Sequence, residues 1–328
     1  MPQIQGKEVG PIGLGLMGLT WRHEVLSDDR CFSAMKASLA NGSDFWNGGE
    51  FYGTPARNSL TLLNKYFTAH PEDASKVVLS IKGGLDTTTL APTGTRENVT
   101  RSIENCVRML GGVKKMDMFQ CARVDKNVPL EETLLALKAH VDKGDIGGIS
   151  LSEVSAKTIH DAVKIVKVDA VEVELSIWAP DVLENGVAKA CAEHGIPLIA
   201  YSPLGRGVLT GAIKSIADIP EGDFRRHLPR FQPGAFEQNL KLVAAVEGMA
   251  KKKGCTPGQL ATGWAIGLGK KPGMPVIIPI PGATTEGRVN ENCTQVELTD
   301  AEMGEIQTLM SQFEITGGRY PDGHPIEG

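Results

Sequence analysis

"VVLSIKG", residues 77–83, is an almost continuous apolar run that ends in a lysine and a glycine. A run of this length with little polar alternation is typical of a strand in a parallel sheet covered on both faces. Seven further runs of the same kind occur along the chain, and helix-like segments separate most of them. They cover residues 10–15, 44–49, 116–124, 147–153, 170–176, 197–203 and 275–281.

Helical periodicity fills the gaps between these runs. Between the third and fourth runs, apolar residues recur at steps of four, four and three, at Val99, Ile103, Val107 and Leu110. Eight alternating strand and helix units in one chain of 328 residues favour a (β/α)8 TIM barrel over an open sheet. No linker-like stretch interrupts them, so the sequence predicts an α/β fold in which residues 1–328 form a single barrel domain.

Three segments lie outside this alternation. Residues 1–9 precede the first strand and predict a small β-hairpin that closes the bottom of the barrel. Residues 204–235 form a Gly/Pro-rich connection after the seventh strand, and loops of this length are usually functional, for example as lids. After the eighth strand, "TDAE" (299–302) predicts a capping box that opens a terminal helix, which a tail follows.

The glycines of "GPIGLGLMG", residues 10–18, match the G-x-G-x-x-G spacing of dinucleotide-binding folds. In those folds the glycine run leads directly into a helix, and an acidic residue ends the next strand about 20 residues later. Here "LTWRHEVLSDDR" follows without an apolar helical stripe, and the next helix is predicted near Cys31. We therefore interpret Gly15, Leu16 and Met17 as a tight exit from the first strand, where the backbone lies close to a ligand.

Composition excludes several classes of partner. Lys and Arg number 34 against 39 Asp and Glu, and a net charge of −5 argues against nucleic acid or an anionic membrane as the main partner. No apolar run approaches the roughly 20 residues of a membrane span. The six cysteines are scattered as in a reduced, cytoplasmic protein, and the seven histidines form no ligand cluster, so no metal site is predicted.

Polar residues at the ends of two strands suggest catalysis. The second strand leads to Asn47 and Tyr52, and the third ends at Lys82. In a barrel of this type, catalytic residues lie at the ends of the strands on one face. A lysine beside a tyrosine would lower the phenol pKa and produce an acid able to protonate an alkoxide as a hydride reaches its carbon. Taken singly, the tyrosine could equally be a core residue and the lysine a solvated one.

Five segments together resemble the aldo-keto reductase family, and they occur in the family's order over nearly the whole chain. Within that family, the segments around "FWNGGEFYG" and "FQCARVD" are most similar to the pyridoxal reductase branch, which reduces pyridoxal to pyridoxine with NADPH. The segments are "DFWNGGEFYG" (44–53), "LSIKGG" (79–84), "MDMFQCARVD" (116–125), "AYSPLGRGVLTG" (200–211) and "IPGATTEGRVNEN" (280–292).

The resemblance implies that Tyr52 donates the proton and that Lys82 adjusts its pKa. Two family positions differ here, because the usual aspartate falls on Asn47 and the usual histidine on Ala122. Asn47 cannot neutralise Lys82, so the lysine charge is expected to act on Tyr52 with less compensation and to depress its pKa further.

The missing histidine at Ala122 leaves space for an aromatic substrate ring. Trp46 and Trp178 are candidates to contact that ring, although both could be ordinary core tryptophans. Pyridoxal carries a 3-hydroxyl beside its aldehyde, and we hypothesise that this hydroxyl supplies part of the polarisation that Ala122 cannot.

The resemblance also implies a site for NADPH. Ser152, Glu153 and Glu172 occupy the positions that hold the carboxamide, although a glutamate can only accept from its NH2 group, and Tyr201 would stack on the nicotinamide. Gly282 stands where the family often has a lysine, which weakens the preference for NADP. The remaining positions are those of the pyrophosphate (Ser202, Leu204, Gly207), the 2′-phosphate (Thr284, Arg288) and the adenine (Glu291, Asn292).

Three functions follow from the sequence. The first is the NADPH-dependent reduction of an aldehyde to a primary alcohol, with pyridoxal as the substrate. The second is reduction of other aromatic or aliphatic aldehydes on the same fold. The third is a non-enzymatic NADPH-binding regulatory protein, which the altered positions 47 and 122 favour and which the retention of Tyr52 and Lys82 opposes.

Overall fold

Eight parallel strands form the centre of the computed structural model, which describes residues 1–327. Gly328, the last residue of the predicted domain, lies outside the described residues. The strands, numbered along the chain with the hairpin strands included, are β1 Gln3–Ile4, β2 Lys7–Glu8, β3 Leu14–Gly15, β4 Phe45–Gly49, β5 Gly53–Thr54, β6 Arg57–Asn58, β7 Val78–Gly83, β8 Met118–Cys121, β9 Ser150–Ser152, β10 Ala170–Glu174, β11 Leu198–Tyr201 and β12 Ile277–Pro279.

Helices alternate with these strands and surround them. They are α1 Met17–Thr20, α2 Asp28–Ala40, α3 Ser59–Ala69, α4 Arg96–Leu110, α5 Leu130–Lys143, α6 Ala156–Ala162, α7 Val187–Glu193, α8 Ala235–Lys253, α9 Pro257–Leu268, α10 Glu286–Cys293 and α11 Asp300–Gln312. The predicted capping box is present, because the Thr299 side chain and Glu302 bond each other's backbone N–H groups at the start of α11. Within the described residues, no helix has both the length and the apolar character needed to cross a membrane.

The strands close into a barrel. One four-stranded parallel sheet has the order β3-β4-β7-β8, and a second has the order β9-β10-β11-β12. The Phe119 N–H donates to Gly148 O (3.1 Å) across one junction, and the Gly13 N–H donates to Pro279 O (2.9 Å) across the other. The predicted (β/α)8 barrel is therefore confirmed.

The glycine run packs the first strand against its neighbours. A Cβ at Gly13 would lie 2.6 Å from Phe45 O, and one at Gly15 would lie 2.9 Å from Ile280 O. Only glycine allows β3 to fit between β4 and β12 at this distance. The prediction that no helix follows until Cys31 is wrong in detail, since the single turn α1 begins at Met17. Close approach to neighbouring backbone accounts for Gly13 and Gly15, while the predicted approach of a ligand to this strand exit stays a prediction.

Two apolar cores stabilise the barrel, one between strands and helices and one inside the lower barrel. The inner core contains Ile4, Val9, Phe45, Val78, Met118, Ala170, Ile199, Ile278 and Ile280. The predicted hairpin is confirmed by the antiparallel pairing of β1 with β2. Ile4 from this hairpin is fully buried in the inner core, which closes the bottom of the barrel.

The connection after β11 and the C-terminal tail both pack against the upper rim. Residues 205–231 contain four short 3-10 turns, and Phe231 from the last turn is buried against Trp178. The tail returns over the barrel, where the Thr316 N–H donates to Asn239 Oδ1 (2.8 Å). The long connection predicted for residues 204–235 is therefore present, while its role as a lid stays a prediction.

Candidate functional site

The turn after β4 places Tyr52 beside the end of β7. The Glu50 N–H donates to Lys82 O (2.8 Å), so the two strand ends are held together. A Cβ at Gly49 would lie 2.9 Å from the Tyr52 ring, which packs directly over that glycine. Tyr52 is 8% exposed; burial raises the pKa of its phenol, and the charge of Lys82 acts on it in the opposite direction. The structure thus brings together the tyrosine and the lysine that the sequence singled out.

Lys82 has a buried carboxylate partner that the sequence analysis did not expect. Its Nζ lies 2.5 Å from Glu172 Oε1, and both side chains are almost fully buried. Asn47 Nδ2 donates to the other oxygen, Glu172 Oε2 (2.7 Å), and Gln120 Nε2 donates to the same atom. The expectation of a lysine charge without compensation is therefore wrong. Asn47 donates to this carboxylate through its amide.

The pKa of Tyr52 follows from this arrangement. Burial raises the pKa of the Tyr52 phenol, the Lys82 charge and hydrogen bond lower it, and the Glu172 charge raises it again. The net direction is upward, so the predicted lowering is wrong, and Tyr52 is a neutral phenol that can donate a proton. Burial disfavours the ammonium form of Lys82, but Glu172 and Tyr52 outweigh it, and the pKa of Lys82 is raised.

A second group of buried charges lies nearer the rim and was missed by the sequence analysis. Glu174 Oε2 lies 2.9 Å from Arg206 Nη2 and 3.3 Å from Arg319 Nη1, and Arg319 also contacts Glu153 Oε2 at 3.2 Å. One signal was available, because Glu172 and Glu174 are two residues apart on β10 and must point to the same side of the strand. The partner Arg319 could not be predicted from local sequence.

Arg123 is a further cation that the sequence analysis did not assign. It follows Ala122 at the end of β8, and its charge acts on the pKa of both Tyr52 and Lys82. Its Nη1 donates to Ala122 O (2.6 Å) and its guanidinium lies 5.6 Å from the centre of the Tyr320 ring. Its Nε is buried without a hydrogen-bond partner, and no carboxylate in residues 1–327 forms an ion pair with it.

The residues assigned to the nicotinamide end of a cofactor lie on neighbouring strands of the upper barrel. Ser152 Oγ is buried and has no hydrogen-bond partner among the described residues, so it can bond an amide. The Tyr201 ring lies 5.5 Å from Lys82 Nζ, and its hydroxyl is 2.8 Å from that of Tyr320. Glu153 and Glu172 already accept from protein donors, so their carboxamide contacts stay predictions. The unpartnered hydroxyl of Ser152 is free to bond a carboxamide, and contact of these residues with a nicotinamide stays a prediction.

The residues assigned to the other end of the cofactor lie around the start of α10. Thr285 caps this helix by accepting from the Arg288 N–H (3.3 Å), and the helix N-terminus favours an anion. Arg288 is half exposed and pairs with Glu291 at 2.7 Å. Arg30 from α2, which the sequence analysis missed, donates from Nε to Thr284 O (3.0 Å). Two arginines therefore flank this position.

Other assigned positions differ in how they relate to this site. Gly15 pairs with Gly282 across the barrel junction, Leu16 is buried, and Met17 is partly exposed. Beyond β11, Ser202 and Gly207 have positive φ values of 50° and 97°. Leu204 and Asn292 are buried. For all of these residues, cofactor contact stays a prediction.

The two tryptophans proposed for substrate contact lie in different places. Trp46 is fully buried, donates from Nε1 to Ser38 Oγ (3.0 Å), and stacks on Phe67. Its side chain points out of the barrel towards the helices, because it alternates with Asn47, and the prediction of ring contact is wrong for this residue. Trp178 is buried beside Phe231 and lines a cavity with Arg206 and Arg230, so its role stays a prediction.

The sequence and the structure were compared with known proteins. Residues 11–311 match the sequence model of the Aldo/keto reductase family. The chain is 44% identical over 327 residues to a Schizosaccharomyces pombe protein named "Probable pyridoxal reductase 2", covering 98% of this chain and 97% of that protein. A Saccharomyces cerevisiae protein that also bears the name pyridoxal reductase is 40% identical over 332 residues, covering 94% of this chain and 95% of that protein.

Among solved structures, the chain is similar to the glycerol dehydrogenase of Gluconobacter oxydans. The TM-score is 0.82, with 96% of each chain covered and 20% sequence identity. At this identity the similarity supports the barrel fold.

Proposed function

Because this chain belongs to the aldo/keto reductase family, we propose that it is an NADPH-dependent reductase that converts pyridoxal to pyridoxine. The observation that carries the proposal is the joint burial of Tyr52 and Lys82 at the upper ends of the paired strands β4 and β7, where the Lys82 charge acts on the Tyr52 phenol. This pair supplies a neutral proton donor next to a fixed positive charge. Reduction of an aldehyde requires such a donor, since the carbonyl oxygen gains a proton when its carbon is reduced.

In the proposed reaction, Tyr52 donates its hydroxyl proton to the aldehyde oxygen. NADPH, when bound, supplies the hydride that reduces the carbon. The Lys82 ammonium stabilises the phenolate that Tyr52 becomes, and the proton is later returned from solvent. Tyr52 is almost fully buried. Bulk water therefore competes less with the phenol as the source of the donated proton.

Residues on three parts of the barrel support the cofactor assignment. We propose that Ser152 bonds the carboxamide and that Tyr201 stacks on the nicotinamide. Thr284, Arg288 and the N-terminus of α10 would hold the 2′-phosphate, with Arg30 beside them. A guanidinium is well suited to bind a phosphate, which favours NADPH over NADH in spite of Gly282.

Arg123 favours pyridoxal over neutral aldehydes. The 3-hydroxyl of pyridoxal lies beside the aldehyde carbon, and as a phenolate it presents an anionic oxygen next to the reacting group. A half-buried guanidinium with an unpartnered Nε and no carboxylate in an ion pair with it can bind that oxygen. Ala122, which is small and buried, leaves room for the pyridine ring. Arg123 would then hold the substrate in the position where Tyr52 reaches the aldehyde oxygen.

The proposal is tested by following NADPH absorbance with pyridoxal and with pyridine-4-carbaldehyde, which lacks the 3-hydroxyl. A charge-assisted hydrogen bond contributes about 1.5–3 kcal/mol, so we expect pyridoxal to have a kcat/KM at least about tenfold higher. Arg123→Leu should remove this preference, whereas Arg108→Leu on the exposed face of α4 should keep it. Equal kcat/KM for both aldehydes in the wild-type enzyme would contradict the substrate assignment.

The same assay separates the two other candidate functions. A much higher kcat/KM for benzaldehyde than for pyridoxal would favour a reductase of other aldehydes. NADPH binding without consumption by any aldehyde in the panel would favour a regulatory protein.

A further inference from the structure

We infer that Glu172 on β10 is the positioning residue that keeps Lys82 charged beside Tyr52. The essential carboxylate of this site thus reaches the lysine from β10, across the barrel. The position on β4 carries the neutral Asn47 instead. This inference rests on the proposed function, because it assigns a residue that supports the Tyr52–Lys82 pair. Glu172 acts through Lys82 and does not itself exchange a proton with the substrate.

The contacts of Glu172 are complete and directional. Oε1 accepts from the Lys82 ammonium at 2.5 Å, and Oε2 accepts from Asn47 Nδ2 at 2.7 Å and from Gln120. The Gln120 amide is oriented by the carboxylate itself, which can only accept and therefore faces the NH2 group, while the Gln120 Oε1 lies 2.8 Å from Ser150 Oγ. Three donors from β4, β7 and β8 thus converge on one carboxylate from β10.

Burial makes this carboxylate necessary for Lys82. The side chains of Lys82 and Glu172 are 5% and 2% exposed, so water solvates neither charge well. Two further groups act strongly on the Lys82 pKa: Tyr52, which stays neutral until it donates, and Arg123, which repels the ammonium. Tyr201 contributes its ring face. A buried lysine without an opposite charge loses its proton near neutral pH, and documented pKa values fall to about 5–6.

Asn47 and Glu172 are exchangeable in principle. The Asn47 amide bonds the same carboxylate as Lys82, so a carboxylate placed at position 47 would lie against residue 172 and on the side of it that faces the same buried cluster. The variant Asn47→Asp/Glu172→Gln keeps the number of buried charges and hydrogen-bonding groups while moving the negative charge from β10 to β4. This double variant separates the effect of charge from that of packing.

The first test is the pH dependence of kcat for wild type, Glu172→Gln and Asn47→Asp/Glu172→Gln, with whichever aldehyde is turned over fastest. In Glu172→Gln we expect kcat at pH 7 to fall by about 100-fold and the alkaline limb to move down by about two pH units or more, because Lys82 becomes neutral. The double variant should recover at least about tenfold of the lost kcat and restore the alkaline limb. Glu184→Gln, an exposed glutamate, should match wild type.

A second test needs no substrate, so it stands even if pyridoxal is not the substrate. In Glu172→Gln the folded-state pKa of Lys82 lies below its unfolded value, so folding is penalised at neutral pH and the penalty disappears as pH rises towards about 10. The urea midpoint of Glu172→Gln should therefore approach that of wild type between pH 7 and pH 10. An unshifted pH profile of kcat in Glu172→Gln, no recovery in the double variant, or a midpoint difference independent of pH would each overturn the inference.

Discussion

The lower and upper halves of the barrel interior are built from the same strands but from opposite kinds of side chain. On five of the barrel strands a step of two residues leads from an apolar inner position to a polar one. The pairs are Phe45 and Asn47, Val78 and Ser80, Met118 and Gln120, Ala170 and Glu172, and Ile199 and Tyr201. The backbone is continuous through both halves, so the difference lies in the side chains alone.

The two halves also differ in what they contribute to the molecule. The lower half removes apolar surface from water, which stabilises the fold. The upper half buries Lys82, Glu172, Glu174 and Arg319, and buried ions cost free energy unless each is paired and hydrogen-bonded. We conclude that the apolar half and the outer core stabilise a barrel whose upper half is adapted to chemistry. Four substitutions test this division, from the largest expected effect to the smallest.

The largest effect is expected from Tyr52→Phe in the upper half. Loss of the proton donor should lower kcat by about 10²–10⁴-fold, the range typical of general acid catalysis. Affinity for NADPH, measured by fluorescence titration, should change by less than about twofold, and the urea midpoint should stay close to that of wild type. Unchanged kcat would show that another group donates the proton and would remove the distinction between the halves.

A change of comparable free energy is expected from Phe45→Ala in the lower half, but in the free energy of unfolding and not in kcat. Phe45 is fully buried in the inner core, and such truncations reduce the free energy of unfolding by about 3–5 kcal/mol. Urea unfolding measures the loss, while kcat per folded molecule at low temperature should stay within about threefold of wild type. A tenfold fall in kcat of the folded protein would mean that the two halves are coupled.

A smaller effect with a defined pH dependence is expected from Asp117→Asn below β8. Burial raises the pKa of this carboxyl, but the Leu79 N–H and the Lys114 and Lys7 side chains lower it more, and the net direction is down. A lowered folded pKa gives stability that is present above the unfolded value, near 3.9, and lost as pH falls through the folded value.

Asp117→Asn should therefore lose about 1–3 kcal/mol of the free energy of unfolding at pH 7, since these hydrogen bonds are to a charged group. The difference from wild type should shrink as pH falls below about 4, and urea midpoints at pH 7 and pH 3 measure this change. A difference that is the same at both pH values would contradict the role of the charge. kcat at pH 7 should be unaffected, because the residue belongs to the lower half.

The smallest effect is expected from Lys7→Ala in the hairpin that closes the bottom. Lys7 Nζ lies 2.6 Å from Asp117 Oδ1, but its side chain is 57% exposed. Exposed ion pairs contribute about 0–1 kcal/mol, so the urea midpoint should change little and the change should diminish in high salt. A loss as large as that of Phe45→Ala would show that the hairpin, and not the inner core, determines the stability of the lower half.

The sequence predicts the barrel well because its signals are local. Each of the eight apolar runs contains or overlaps one observed strand, and Pro129 and Gly144 lie immediately outside the two ends of α5. Strict alternation along β4 and β10 would also have placed Trp46 outside the barrel and Glu172 inside it. The error for Trp46 came from reading the residue by type without using the strand period, and for Glu172 the same period would have indicated a place inside the barrel with Lys82.

The remaining errors concern contacts between distant strands. β7 and β10 are not neighbours in either sheet, so the Lys82–Glu172 pair depends on the width of the closed barrel, which no short stretch of sequence specifies. Arg123 was missed because a single arginine after a strand usually lies at the surface. The pKa shift of Tyr52 was predicted in the wrong direction because it depends on contacts between distant strands. Burial of the phenol and the charge of Glu172 both raise this pKa, and neither can be read from local sequence.

The ion pairs of Arg319 impose an order of events during translation. Glu153 and Glu174 precede Arg319 by 166 and 145 residues, respectively, so both acids leave the ribosome long before the guanidinium that lies between them. Glu174 can gain a partner earlier, since it also pairs with Arg206, whereas the ion pair of Glu153 with Arg319 must wait for residue 319. The ion-pair network of this rim is therefore complete only after residue 319 has joined the chain.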